Sequence, residues 1–509
     1  MAVTPEIASV LEEIGSEWTA TKPQVAGKCV DLSVDGVPSP AVASSLTVYA
    51  GGGIDVAAAP QPTPSEDALP AIWIPDSTAW LTRVQTVDRA AFDVSPRSIA
   101  SSPVVVAMAR PTATAIGWPD RRLRVATVKP LLGSLKLGLA EPRRETASLV
   151  LTMLFGETLV VSDQDLPALV KLFRGVVKAS STGELLQTFG TRVNAGPASE
   201  QAILAYNADQ PAVPLVAVEL DPPGPVLDYP FAIRSGISRE TAQAAELFRR
   251  AVLASSAAEK LAKKGFRAPD GKVRAGFPST DATTTDQVEA VAVDDVARVR
   301  RALGLWSAAN SPSRTLALFD VTSSMASLMR TASGQASRAQ VMAAAAKGGL
   351  NLFTADSRLG MWTFGAKHTE VLPIDDLTAE RKQELDRRMA GAAPTGSNRA
   401  ELYATLLAAY KHMQNGYDPT RPNIIVVLTD GGDSNTSSLR QEEFNQALQQ
   451  LADPTRPIRV VLIGISVGPA DAANLQKIAE IVGGGFFPLT SPEQIQTIFL
   501  RALLRVGAA

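Results

Sequence analysis

Thr315-Leu316-Ala317-Leu318-Phe319-Asp320-Val321-Thr322-Ser323-Ser324-Met325 sets an apolar run directly against an acid and a group of hydroxyls. Farther on, Asn423-Ile424-Ile425-Val426-Val427-Leu428-Thr429-Asp430-Gly431 repeats the arrangement. Near-continuous apolar runs of this kind suit central parallel strands covered on both faces. Both acids are then predicted on loops at the C-terminal edge of a parallel sheet, where open α/β sheets bind ligands. A hard divalent cation takes oxygen ligands, and one carboxylate with two hydroxyls supplies them while leaving a coordination position open. The same polar groups serve equally to cap helices and close turns.

Outward from these loops the second half alternates strands and helices. Strands are predicted over 315–320, 359–364, 370–374, 423–429, 459–466 and 485–489. Helices are predicted over 337–353, 378–389, 399–415, 441–452, 469–482 and 491–504. A doubly wound sheet follows.

The first loop, Asp-x-Thr-x-Ser at Asp320, Thr322 and Ser324, resembles that of the von Willebrand factor A (VWA) domain, whose metal-ion-dependent adhesion site (MIDAS) it matches at all three positions. Asp430 matches the acidic residue of the later loop. The resemblance implies a Rossmann-like fold and a bound Mg²⁺, with Mn²⁺ and Ca²⁺ as alternatives. Asp320, Thr322 and Ser324 would hold it, Asp430 would do so directly or through water, and a partner protein's acidic side chain would complete the shell. The family's third loop carries a Thr before Leu-Tyr. Here Pro394-Thr395-Gly396-Ser397-Asn398-Arg399-Ala400-Glu401-Leu402-Tyr403 puts Ala400 at that position, so the third-loop ligand falls to Thr395, Ser397 or Asn398.

With 509 residues the chain exceeds a single core and is expected to divide into domains, read as 1–275, a linker with an uncertain helix at 276–312, and 313–509. Lys+Arg 49 against Asp+Glu 51 leaves no polybasic field for nucleic acid or anionic lipid. Cys29 alone allows no intramolecular disulfide, and His368 and His412 are too few for a His-rich metal cluster. No apolar run approaches a membrane span, and the start has neither a basic nor an apolar signal region. Thr4 to Trp18 reads as a capped amphipathic helix with no strand before it, the pattern of a trimmed domain.

The first half also reads as α/β. Strands are predicted over 29–34, 71–75, 103–109 and 214–220, with helices over 143–155, 166–177, 199–207 and 239–255. A coreless loop is expected over 51–67 and a polar linker over 271–295. Gly27-Lys28-Cys29-Val30, Trp73-Ile74-Pro75-Asp76-Ser77-Thr78-Ala79-Trp80, Ser101-Ser102-Pro103-Val104-Val105-Val106-Ala107-Met108, Leu139-Ala140-Glu141-Pro142 and Lys264-Gly265-Phe266-Arg267 occur in that order. Together they resemble bacterial extracellular solute-binding proteins of the molybdate-binding-like type, in the actinobacterial branch fused to a VWA domain. The likeness implies two periplasmic-binding-protein-like lobes about a hinged cleft. Asp76, Ser77, Ser101 and Ser102 would face that cleft and bind a small polar or anionic solute. Asp76 and Ser77 equally suit the cap of the following helix.

No Gly-x-x-x-x-Gly-Lys-Ser/Thr loop, Gly-x-Ser-x-Gly elbow or His-Glu-x-x-His helix is present, and catalysis has no positive support. The expectation is an extracytoplasmic binding or adhesion protein, held at the cell surface by a segment absent from this chain. Its VWA half would make metal-dependent protein contacts. The alternative is the solute receptor of a transport system, with the VWA half as a docking module.

Overall fold

The computed structural model describes residues 1–506 apart from 57–61, 93–95, 129–133, 332–333, 435–438, 454–455 and 492–493. Part of the predicted 51–67 loop and the start of the predicted 491–504 helix therefore lie outside the described residues. The chain forms two compact units, one of residues 1–159 and 175–303, the other of residues 160–174 and 304–509.

The first unit contains two lobes. One is built on a five-stranded sheet ordered Asp35–Gly36, Ala2–Val3, Ile72–Ile74, Pro230–Ile233, Arg97–Ser98. The other centres on Ser102–Ala109, antiparallel to both Ala195–Ser199 and Leu215–Val218. The chain crosses between lobes where Arg97–Ser98 leads into Ser102–Ala109, and returns where Val226–Leu227 leads into Pro230–Ile233. Helix Pro5–Ala20 starts with Pro in its first turn and buries Ile7, Val10, Leu11 and Ile14. Contrary to the sequence reading, a strand precedes it. Ala2–Val3 lies parallel to both neighbours, but two residues are too few to show a period of two.

The expected 271–295 linker is instead a strap packed on this unit. Arg267 is 1% exposed and pairs with Glu200 through Nε–Oε2 at 2.6 Å and Nη2–Oε1 at 2.8 Å. Its remaining donors reach the carbonyls of Gly271, Thr284 and Asp286 at 3.1, 2.6 and 2.6 Å. The strap carbonyls of Ala282 and Val291 accept from the amides of Ala217 and Val226. A segment held by its carbonyls carries no hydrophobic period, which is why its sequence looks like a linker.

The second unit is a six-stranded sheet ordered His368–Asp376, Arg358–Phe364, Arg314–Asp320, Asn423–Thr429, Ile458–Ile465, Gly485–Leu489. All neighbours are parallel except the first pair. Because the chain leaves Arg314–Asp320 for one side of the sheet and later fills the other, this strand marks the topological switch point. Phe319 lies opposite Leu428, so the turns after the two strands emerge side by side. Residues 160–174 belong here too. Arg174 donates to Ala309 O at 2.9 Å and to Leu352 O, and Phe173 meets the Trp306 ring edge-on.

Candidate functional site

Asp320 ends its strand 1% exposed, and Thr322 is 3% exposed. Thr322 Oγ1 donates to Asp320 Oδ1 at 2.6 Å, and Thr429 Oγ1 donates to Oδ2 at 2.7 Å. Ser324 Oγ donates to Asp430 Oδ1 at 2.9 Å, and the Thr322 and Ser324 oxygens stand 3.0 Å apart. That contact is itself a hydrogen bond, so one of the two hydroxyls shares its proton between its carboxylate and the other oxygen. Burial pushes the Asp320 carboxyl above its usual range and Asp430 adds to this, while hydrogen bonds from Thr322 and Thr429 pull it down. Two carboxylates and two facing hydroxyl oxygens form a hard-oxygen donor set that fits a divalent cation.

Sequence reasoning missed the cation that the chain itself brings here. Arg338 opens helix Arg338–Leu350 and its Nη1 lies 2.7 Å from Asp430 Oδ2, while its buried Nε has no hydrogen-bond partner. It is delivered by an unforeseen hairpin, Leu328–Thr331 against Gly334–Ser337. Ser337, accepting from Gln340 N, was a readable cap signal for the helix start, but not for the ion pair.

Ala400, at the family's Thr position, is 5% exposed and packs in the core. Thr395 donates from both N and Oγ1 to Val321 O, at 2.7 and 2.8 Å. This places it beside the Asp320–Asp430 ring and ties the third loop to the first.

In the first unit the structure separates the four expected solute contacts. Ser77 is fully buried and accepts from Ala79 N, and Asp228 takes Thr78 N at 2.7 Å, so the helix N-terminus is already satisfied. Ser101 donates to Ala268 O and Ser102 accepts from Gln201 N, both fully buried. Asp76 instead gathers with Glu6, Glu145 and the buried Tyr229, whose amide donates to Asp76 O at 3.2 Å. Glu6 is exposed and Asp76 and Glu145 half-buried, yet desolvation raises all three carboxyls, Asp76 to about 7. Repulsion from Glu6 adds to the rise at Asp76, and repulsion from Asp76 to the rise at Glu145. Tyr229 Oη lies 3.4 Å from Glu6 Oε1, and its backbone holds φ 41°, a strained value for a non-glycine residue. Glu6, Glu145 and Tyr229 were not foreseen, being scattered through the sequence without a motif.

A family model described as bacterial extracellular solute-binding protein matches residues 1–267, and one described as von Willebrand factor type A domain matches residues 318–501. An uncharacterized protein of Mycobacterium tuberculosis, found in strains CDC 1551 and H37Rv, is 23% identical over 521 residues, covering 95% of this chain and 72% of that protein. Among solved structures, a periplasmic thiamin binding protein aligns over 60% of this chain and 94% of its own, at 11% identity and a TM-score of 0.42. A von Willebrand factor type A structure from Catenulispora acidiphila aligns at 15% identity and a TM-score of 0.30, over 39% of this chain and 42% of that one. With more than half of its length matched by the first of these models, the chain belongs to the bacterial extracellular solute-binding protein family and carries a von Willebrand factor type A domain in its second half.

Proposed function

We propose that the protein is a binding protein rather than an enzyme, acting outside the cytoplasm, and that its VWA domain makes metal-dependent contacts with a partner protein. The observation that carries this reading is the unbroken run of hydrogen bonds through Asp320, Thr322, Ser324 and Asp430, which gathers two carboxylates and two hydroxyls at one sheet edge. Asp320, Thr322, Ser324 and Asp430 would hold Mg²⁺, with Thr395 fixing the neighbouring loop. Bound Mg²⁺ would supply a Lewis-acid position for a partner's carboxylate. Thr429 orients Asp320 for this task and Arg338 balances Asp430 until the metal arrives. Calorimetric titration of Mg²⁺ and Mn²⁺ into the full chain should show one site that is lost in Asp320→Ala. Equal binding by the variant would rule the reading out.

The solute-binding family match and the cluster of Glu6, Asp76 and Glu145 support a second role, capture of a small solute by the first unit. Three carboxyl groups and a satisfied helix N-terminus favour a cationic solute over the small polar or anionic one that the sequence suggested. Cationic amines should raise the melting temperature of the full chain, and the gain should disappear in Asp76→Asn. Stabilisation by anionic solutes instead would refute this assignment.

A further inference from the structure

Besides the two crossings of the chain, side-chain hydrogen bonds join the lobes of the first unit along a seam. Helix Thr78–Gln85 packs in the lobe of Ile72–Ile74, and helix Thr146–Leu159 in the lobe of Ser102–Ala109. Between them, Trp80 Nε1 donates to Thr146 Oγ1 at 3.1 Å, and the Thr146 hydroxyl in turn bonds the Asp76 carboxyl. Arg83, buried on the first of these helices, donates to Arg143 O at 3.0 Å and to Asp55 O. Arg143 itself pairs with Glu141 at 2.7 Å and with Asp55 at 3.3 Å.

The carboxyl groups at this seam come from both sides. Glu6 and Asp76 stand on the first lobe, where Thr4 donates to Glu6 at 2.6 Å and Ser39 to Asp76 at 3.1 Å. Glu145 stands on the second, accepting from Thr182 Oγ1 at 2.7 Å. The nearby cations are committed elsewhere, Arg83 to carbonyls and Arg143 to Glu141 and Asp55, while Arg144 acts on Glu145 only through its field. Tyr229 keeps its proton, because burial and the surrounding acids push it well above its usual range. Asp228, at the returning crossover, is held by Thr78 N, Thr78 Oγ1 and Ser98 Oγ.

Like charges that face each other across a seam drive it apart, and a proton on one of them removes the drive. When all three carboxyls are ionised, Glu6 and Asp76 confront Glu145 without a counter-ion between them, and separating the lobes returns these charges to water. The Arg83 and Arg143 contacts carry no group that titrates near neutrality, so they are indifferent to the same change. We propose that Glu6, Asp76 and Glu145 form a proton-operated latch between the lobes, closed while Asp76 holds its proton and released when the proton leaves. The direction follows from linkage. The burial that lifts the Asp76 carboxyl to about 7 belongs to the closed form, so a rise in pH through neutrality favours the open one. The latch acts without any solute, and its failure or success is separate from that of solute capture.

The chain's single cysteine supplies half of the test. Cys29, exposed and on the first lobe, takes one spin label. An added Lys178→Cys, at the exposed centre of strand Val177–Ala179 in the second lobe, takes the other. Pulsed electron double resonance on the full chain without solute should give one label distance at about pH 5 and a shifted one at about pH 8.5. Asp76→Asn should hold the low-pH distance throughout. Glu145→Gln, which removes the charge facing Asp76 from the other lobe, should reduce or abolish the shift, with circular dichroism reporting that each variant is folded. The proposal is overturned if the parent's distance is the same at both pH values, or if the shift persists in full in either folded variant.

Discussion

Single residues set the electrostatics of both candidate sites. Arg338 competes with any cation for Asp430, so Arg338→Ala should tighten Mg²⁺ binding, by about threefold to tenfold. Weaker binding in that variant would mean that Arg338 supports the site rather than guarding it. At Asp76 the carboxyl is raised from 3.8 to about 7, mainly by desolvation with Glu6 adding to it. Between those values the folded protein keeps a proton that the unfolded chain has lost, so stability falls as pH rises through the window and levels off above it. Asp76→Asn should therefore melt higher than the parent at about pH 8, with the gap closing toward about pH 4. Parallel melting profiles across that range would contradict the assignment. Asp320, Thr322, Ser324 and Asp430 were legible in the sequence because the ligating pattern is local and follows apolar strands. Arg338 was not, because it reaches Asp430 across 92 positions of chain.

At the level of elements, legibility followed burial. Asn423–Thr429 falls where the sequence placed it, since an interior strand reads as a continuous apolar run, and the edge strand Gly485–Leu489 does so because a glycine run ends the preceding helix. Asp35–Gly36 is too short to show alternation, and helix Ser39–Tyr49 begins on Ser-Pro and is rich in Ser, Ala and Val, a composition with weak helical signal. The strap was hidden for a different reason, its attachment being made by Arg267 to its carbonyls. Arg267→Met leaves Glu200 buried without a counter-charge and should cost about 3–5 kcal/mol in urea unfolding. It should also open 271–295 to proteases. Adding Glu200→Leu should recover much of the stability without restoring protease resistance, because the carbonyls stay unpaired.

At the scale of the whole molecule, one chain forms two folding units, each discontinuous in sequence. The second unit takes residues 160–174 from the middle of the first unit's sequence, and no periodicity in the sequence marks that transfer. A fragment of residues 304–509 lacks Arg174 and Phe173, and with them the bonds to Ala309 and Leu352 and the packing on Trp306. Fusing 160–174 to that fragment should raise its melting temperature by several degrees. No change would show that the segment is an ornament of the second unit rather than a part of it.

The first lobe's sheet is completed by Pro230–Ile233, which pairs with Ile72–Ile74 only after the entire second lobe has been made. At about 5–20 residues per second on the ribosome, that gap is on the order of ten seconds or more. For that time the nascent sheet presents an unpaired, apolar edge of the kind that seeds association between chains. Slow synthesis or crowded polysomes should then favour aggregation of chains released before residue 233, and holdase chaperones that cover Ile72–Ile74 should suppress it.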